Sequence, residues 1–304
     1  MPAAQHPQRT RRASGGARAL GAAALVLLLA GCAANRSVFP VNLHVNTLEV
    51  PADAQDLRRP EAAVRGVAAV MVRELGLSVP ERVTVYVYSG REVFEQGLIR
   101  DADIAPVRAA ELSDFAVGVG KRRQLLLHDE PGMDQGPEWV RLIAHEMTHV
   151  SQIELAQGEG RAEQWLAEGM AEWVAFTVLE RFGLDTIGRR RAVAVAGTRG
   201  QAALQSGQLD LDTLGTPRGF TMRHLREGPL PTYQLSFLMT EYLIKRDGFA
   251  QLVRYFSLAA RSRDRRGNFR RAFGQSLDQF EEEVLEYLQA LVAEGESADG
   301  SLPR

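Results

Sequence analysis

The chain has 304 residues, a formal net charge of −2, 45% hydrophobic and 24% charged residues, and one cysteine. That balance excludes a chain disordered throughout and gives no basic surplus for nucleic acid; the bias to arginine, with Lys121 and Lys245 as the only lysines, carries no phosphate-binding pattern. A single cysteine also excludes an intramolecular disulfide, so the folded part depends on its core.

Residues 1–31 read as a signal peptide. Arg9, Arg11, Arg12 and Arg18 come without any acidic residue, and an apolar run from Leu20 to Ala30 follows that is too short for a comfortable permanent span. Leu29-Ala30-Gly31-Cys32 resembles the lipobox of bacterial lipoproteins. That resemblance implies cleavage before Cys32, lipid on its thiol and new amine, and attachment to a membrane. Ala33 stands where an aspartate commonly retains such proteins on the inner membrane, so the expected place is the outer membrane, facing the periplasm.

Residues 32–58 have no clear period and contain Pro40 and Pro51, so they read as a lipidated tether. From 59 to 160 the pattern predicts an αβ subdomain. Ala63, Val67, Val70 and Met71 have helical spacing over 61–75, and Val83, Val85 and Val87 alternate over 82–89 as a half-buried strand. A second strand is expected over 122–128 around Leu125–Leu127, either at the rim of a cleft, where its free edge would pair with an extended peptide, or as an ordinary sheet strand; His128 is expected at the surface.

Gly136-Pro137 opens a helix over 138–156, marked by Trp139, Leu142, Ile143, Val150 and Ile153. A helix over 161–182, stopped by Gly183, begins a mostly helical subdomain that runs to 294 and includes helices at 233–246, 249–260 and 277–293; 295–304 reads as a flexible tail. Residues 184–230 are glycine-rich and poorly periodic, and the cluster Arg261, Arg263, Arg265, Arg266, Arg270 and Arg271 reads as a solvated loop. The fold class is therefore α+β, two subdomains about a shared cleft.

The chemistry concentrates in His145-Glu146-Met147-Thr148-His149. Histidines four apart share one face of a helix, so both can ligate one zinc ion, and Glu146 can reach a metal-bound water without displacing them. Glu168 follows after a turn on the next predicted helix and is a candidate third ligand, which would leave a fourth position open for water.

This set resembles the gluzincins, zinc metallopeptidases with His-Glu-x-x-His and a downstream glutamate. His-Glu-Met-Thr-His with Leu166-Ala167-Glu168-Gly169-Met170-Ala171 looks more narrowly like the peptidase MA-like group, over about residues 82–290, including Arg271-Ala272-Phe273-Gly274 before the last helix. The resemblance implies His145, His149 and Glu168 as ligands of Zn2+ and Glu146 as general base. It places Glu172, one turn beyond Glu168, either as the carboxylate that orients a ligand histidine or as a solvated helix residue. Tyr233, expected at the start of its helix, is the first candidate for stabilising the oxyanion, and His224 the alternative.

The expected activity is cleavage of a peptide or protein substrate, by an endopeptidase in preference, since no Gly-x-Met-Glu-Asn run is present to hold a substrate amino terminus. Two other readings stay open. One is a catalytically inactive lipoprotein of the same fold that serves binding or assembly; the other is a zinc hydrolase of a non-peptide cell-wall bond.

Overall fold

The computed structural model describes residues 36–129 and 136–300. The expected signal peptide, residues 1–31, and Cys32 lie outside them. Four strands form one sheet: β1 (Arg36–Asn42), β2 (Arg82–Tyr88), β3 (Gly118–Lys121) and β4 (Gln124–His128), in the order β1-β2-β4-β3. β1 runs antiparallel to β2, β2 parallel to β4, and β3 antiparallel to β4 across a two-residue turn in which Arg123 has φ 61°.

Period-two alternation sorts the side chains. Val83, Val85, Leu125 and Leu127 enter the main core, while Tyr88 and Leu126 point to the other face. That second face is covered by the two helices that follow α1 (Pro60–Arg73) in the chain, α2 (Arg91–Ala102) and α3 (Pro106–Ser113), through Phe94, Leu98 and Ala109. The first face is covered by α1 (Pro60–Arg73) and by α4 (Pro137–Ala156), which follows Gly136.

Several sequence expectations are corrected here. Residues 36–58 are not a tether: β1 is a sheet edge, two 3-10 turns follow at Val45–Thr47 and Ala54–Arg58, and Leu43, Leu48 and Leu57 are buried in the main core. Pro40 hides the strand from a sequence reading, yet a proline is tolerated at an edge, where one side of the backbone has no ladder to complete. Arg65 and Arg73 fasten the stretch by donating to the carbonyls of Asn42, Thr47, Leu48 and Val45.

β4 is no free edge. It is paired on both sides, and the edge beside the motif helix is β3. His128 is buried, stacked on Phe94 with ring centroids 5.7 Å apart, rather than at the surface.

The remaining elements among the described residues are helices: α5 (Gln164–Arg181), α6 (Ile187–Thr198), the short α7 (Ala202–Ser206) and α8 (Leu211–Leu214), α9 (Pro217–Glu227), α10 (Pro229–Asp247), α11 (Phe249–Ala259), α12 (Arg265–Phe273) and α13 (Leu277–Gly300). The glycine-rich stretch 184–230 thus holds helices, capped by Thr186, Asp210 and Thr216 and seated by Leu209, Leu211, Leu214 and Phe220. The expected tail is helical as far as Gly300. Four residues of the expected arginine loop lie on α12, where Arg265 binds Glu163 and Arg266 binds Asp212 and Asp278.

α5 is the axis of this half. It packs between α4 and α10, and Gly169 sets the second crossing: a Cβ there would stand 2.2 Å from the carbonyl oxygen of Ser236. Only glycine permits that approach, so the residue after Glu168 brings α10 to the site. Among the described residues no helix is long and apolar enough to cross a membrane.

Candidate metal centre

α4 buries Trp139, Leu142, Ile143, Met147 and Val150 in the core and ends at Gln157, in the left-handed region with φ 52°. One turn apart on its cleft side stand His145 and His149. α5 enters beside them with Glu168, so three donors from two helices meet.

Their spacing is regular. His145 Nε2 and His149 Nε2 are 3.2 Å apart, and each lies 3.3 Å from Glu168 Oε2. With bonds of about 2.0–2.1 Å, a tetrahedral zinc ion spaces its ligand atoms about 3.3–3.4 Å apart. Glu168 Oε2 is buried and accepts no hydrogen bond, while its partner oxygen Oε1 accepts from Gln164 Nε2 at 2.7 Å. A buried orphan carboxylate oxygen facing two imidazole nitrogens is what a cation would satisfy. The group His145, His149 and Glu168 can therefore hold a metal ion.

Each histidine has a different polar group behind it. Nδ1 of His145 lies 3.0 Å from Glu172 Oε1, an ion-pair distance without hydrogen-bond geometry, and Glu172 is buried beside it and not a solvated carboxylate. Nδ1 of His149 lies 2.9 Å from Gln152 Oε1, and Gln152 Nε2 donates to the carbonyl of Ala167 at 2.9 Å. That amide orientation makes Nδ1 the donor and leaves the Nε2 lone pair facing the other two groups, where it could meet a metal ion. Sequence reasoning missed Gln152; its place three residues after His149 on one helix face was the available signal.

Charge follows the packing. Burial disfavours a charged imidazole at His145, but Glu168 and Glu172 outweigh it and push its pKa up to about 10. His149 is likewise raised, burial losing to Glu168. Burial also opposes ionisation of Glu172, yet Arg141 and His145 hold its carboxyl down at about 2, and the two histidines hold Glu168 well below the usual carboxylate range. Glu146 goes the other way, because burial lifts its pKa more than the nearby imidazoles lower it.

Glu146 is also fixed by a strand. Its Oε2 accepts from the backbone N–H of Gly120 at 2.6 Å. A Cβ at Gly120 would lie 2.3 Å from the backbone oxygen of Glu146, and one at Gly118 would lie 2.8 Å from its side chain. β3 thus reaches α4 because both positions lack side chains. These glycines are site residues that sequence reasoning missed, and the alternating Gly118-Val119-Gly120 was the signal.

Tyr233 is not the first residue of its helix but stands in the second turn of α10, with its ring 6.0 Å from that of His145. Burial and the carboxylates of Glu168, Glu146 and Glu172 raise its pKa well above the ordinary phenol value, so it stays a hydrogen-bond donor. His224, on α9, is buried behind it, 4.4 Å from Phe115 and 6.0 Å from Tyr233 between ring centroids. Burial lowers its pKa and keeps it neutral.

The donors open into a cleft with two lobes that share His145, Glu146 and Tyr233. Lobe A, about 500 Å³, is lined by Lys121, Gln152, Arg161 and Gln164 together with apolar groups such as Leu112, Ile153 and Phe256. Lobe B, about 290 Å³, has apolar walls of Leu142, Phe176, Ala194 and Phe237, with Glu138, Arg141 and Arg190 also lining it. His224 lines lobe B alone of the two. Comparison of the chain with protein-family models, with curated proteins and with solved structures finds no match.

Proposed function

We propose that this chain is a zinc-dependent peptidase of the cell envelope, an endopeptidase in preference, held to a membrane by lipid on Cys32. The observation that carries the reading is the near-equilateral donor triangle of His145, His149 and Glu168 with Glu146 beside it in the same cleft. When bound, zinc supplies a water of lowered pKa and polarises the scissile carbonyl.

The chain's own residues do the rest. Glu146 takes a proton from the attacking water as the new carbon–oxygen bond forms, and delivers it to the amide nitrogen as the carbon–nitrogen bond breaks. Its raised pKa brings it closer to neutrality, where one group can both accept and return a proton. The protonated phenol of Tyr233 donates to the oxygen that becomes negative in the tetrahedral intermediate. Neutral His224 packs on that phenol's neighbourhood and is the weaker candidate for this donation.

β3 supports a peptide as substrate. Gly118 lines both lobes and Val119 to Lys121 line lobe A, so an extended chain laid on this edge would pass the donors and run into lobe B. That favours the peptidase over cleavage of a non-peptide bond.

Metal analysis and turnover test the reading together. The purified chain is expected to contain one zinc per molecule and to cut members of a broad peptide library. Glu146→Gln is expected to keep the zinc and lose about 10²–10⁴ in kcat/KM. A zinc-free chain, or Glu146→Gln with full activity, removes the peptidase; zinc without turnover on any peptide leaves a binding module in its place.

A further inference from the structure

Lobe B borders on a run of alternating charges that the proposed hydrolysis does not use. Arg190 Nε donates to Asp185 Oδ2 at 2.6 Å and its Nη2 to Glu138 Oε1 at 2.8 Å. Arg141 Nε donates to Glu138 Oε2 at 2.7 Å, and its Nη1 to Glu172 Oε1 at 2.9 Å. The same Glu172 oxygen lies 3.0 Å from His145 Nδ1. The run therefore starts just before α6, at Asp185, and ends at a donor of the proposed metal site.

Exposed ion pairs contribute little, but this one becomes buried as it approaches His145: Glu138 is half exposed, whereas Glu172 and His145 are buried. Arg141 and His145 are four apart on α4, so both project from one helix face toward the same carboxylate on α5. The planar guanidinium serves two carboxylates at once, Glu138 one turn back on its own helix and Glu172 across the interface, which a lysine ammonium does less rigidly. Glu172 without Arg141 would be a buried carboxylate beside Glu168, free to turn away from Nδ1.

We propose that Arg141 is a positioning residue for the metal centre: it fixes Glu172 Oε1 behind His145, so that the imidazole keeps Nε2 in the donor triangle, and Glu138 and Arg190 hold Arg141 in turn. The proposal rests on the zinc reading above. It also explains an asymmetry, since His149 is oriented by a neutral amide and only His145 has an ionic support.

Zinc affinity, measured by competition with a chromophoric chelator at fixed pH, tests it, with cobalt(II) absorption as a probe of donor geometry. Arg141→Met is expected to bind zinc about ten- to hundredfold more weakly and to change the cobalt spectrum, with Arg141→Lys recovering part of the loss. In a Glu172→Gln background, Arg141→Met should cost nothing further, because its effect passes through that carboxylate. A merely structural ion pair would lower the thermal midpoint and leave zinc affinity alone.

Arg141→Met within about twofold of the wild-type affinity overturns the proposal, and so does an undiminished loss in the Glu172→Gln background. Should Arg141→Met fail to fold, Arg141→Lys and Glu138→Gln decide: weaker zinc binding by both supports the proposal, and wild-type affinity in both ends it. A wild-type chain that binds no zinc removes the peptidase reading and this inference together, whereas a zinc-binding wild type with an unaffected Arg141→Met removes this inference alone.

Discussion

The two walls of the cleft are built from different materials. On the sheet side, β3 contributes a backbone N–H to Glu146 and two positions without side chains. On the helical side, α5 and α10 contribute side chains, Glu168, Glu172 and Tyr233, set in place by one close helix crossing at Gly169. A backbone wall is sensitive to added atoms, and a side-chain wall to removed ones. The difference gives each wall its own way of failing.

The largest effect is expected on the helical wall. Tyr233→Phe deletes one hydroxyl and is expected to lower kcat by about 10²–10³ while zinc content stays at the wild-type level, the signature of a lost transition-state donor. His224→Ala is expected to do less and to act mainly on KM, since the imidazole lies behind the phenol and lines only lobe B. Steady-state kinetics on one peptide for both variants separates them. If His224→Ala lowers kcat more than Tyr233→Phe does, the two exchange roles and the wall's donor is the imidazole.

The sheet wall is expected to fail by overfilling. Gly120→Ala places a methyl against the backbone of Glu146, which cannot rotate away, so β3 must lift off α4 and its hydrogen bond to the carboxylate must lengthen. A loss of about 1–3 kcal/mol in stability, read from urea unfolding, should accompany reduced turnover. Gly188→Ala is the control: it sits on α6 with open space around it and should be neutral or slightly stabilising. Equal behaviour of the two variants would mean that β3 yields freely and that the sheet wall is softer than its packing indicates.

The same contrast explains what could be read in advance. His145, Glu146 and His149 declare themselves by helical spacing, and Glu168 and Glu172 by following one and two turns into the next helix, because side-chain chemistry is written in residue types. The N–H of Gly120 is not, since every residue but proline has one. Arg141 and Gln152 look like ordinary helix surface until α5 is placed against α4 and gives them Glu172 and Ala167 to bind.

The fold shows the same limit. The helices at 60–73, 137–156 and 164–181 carry long periodic runs and were legible, whereas β1, β3 and the helices of 187–227 are short and owe their form to packing. Signals existed for some of these. Thr216-Pro217 is an N-cap followed by a first-turn proline, and Leu43, Leu48 and Leu57 are large apolar side chains that a solvated tether has no use for.

The smallest expected effect separates the walls by pH. Glu163 caps the start of α5 and is fully buried; its Oε2 accepts from Arg265 Nη1 at 2.7 Å, its Oε1 has no partner, and its N–H donates to Tyr255 Oη at 2.8 Å. Burial, with Asp212 in support, outweighs Arg265 and Arg266 and lifts its pKa to about 7, from an ordinary 4.5. Between these values the folded chain binds a proton that the unfolded chain has released. The stabilisation is therefore complete below about pH 4.5 and is lost as pH rises to about 7. That stabilisation should disappear across this window, and Glu163→Gln should flatten that part of the profile. Because β3 and α4 hold no part of this contact, protection from hydrogen exchange, taken relative to the intrinsic amide rate at each pH, should fall at the start of α5 over the same window and stay constant at Gly120. Protection that falls equally at both would show that the walls open as one unit, and the contrast between them would then be one of construction without separate mobility.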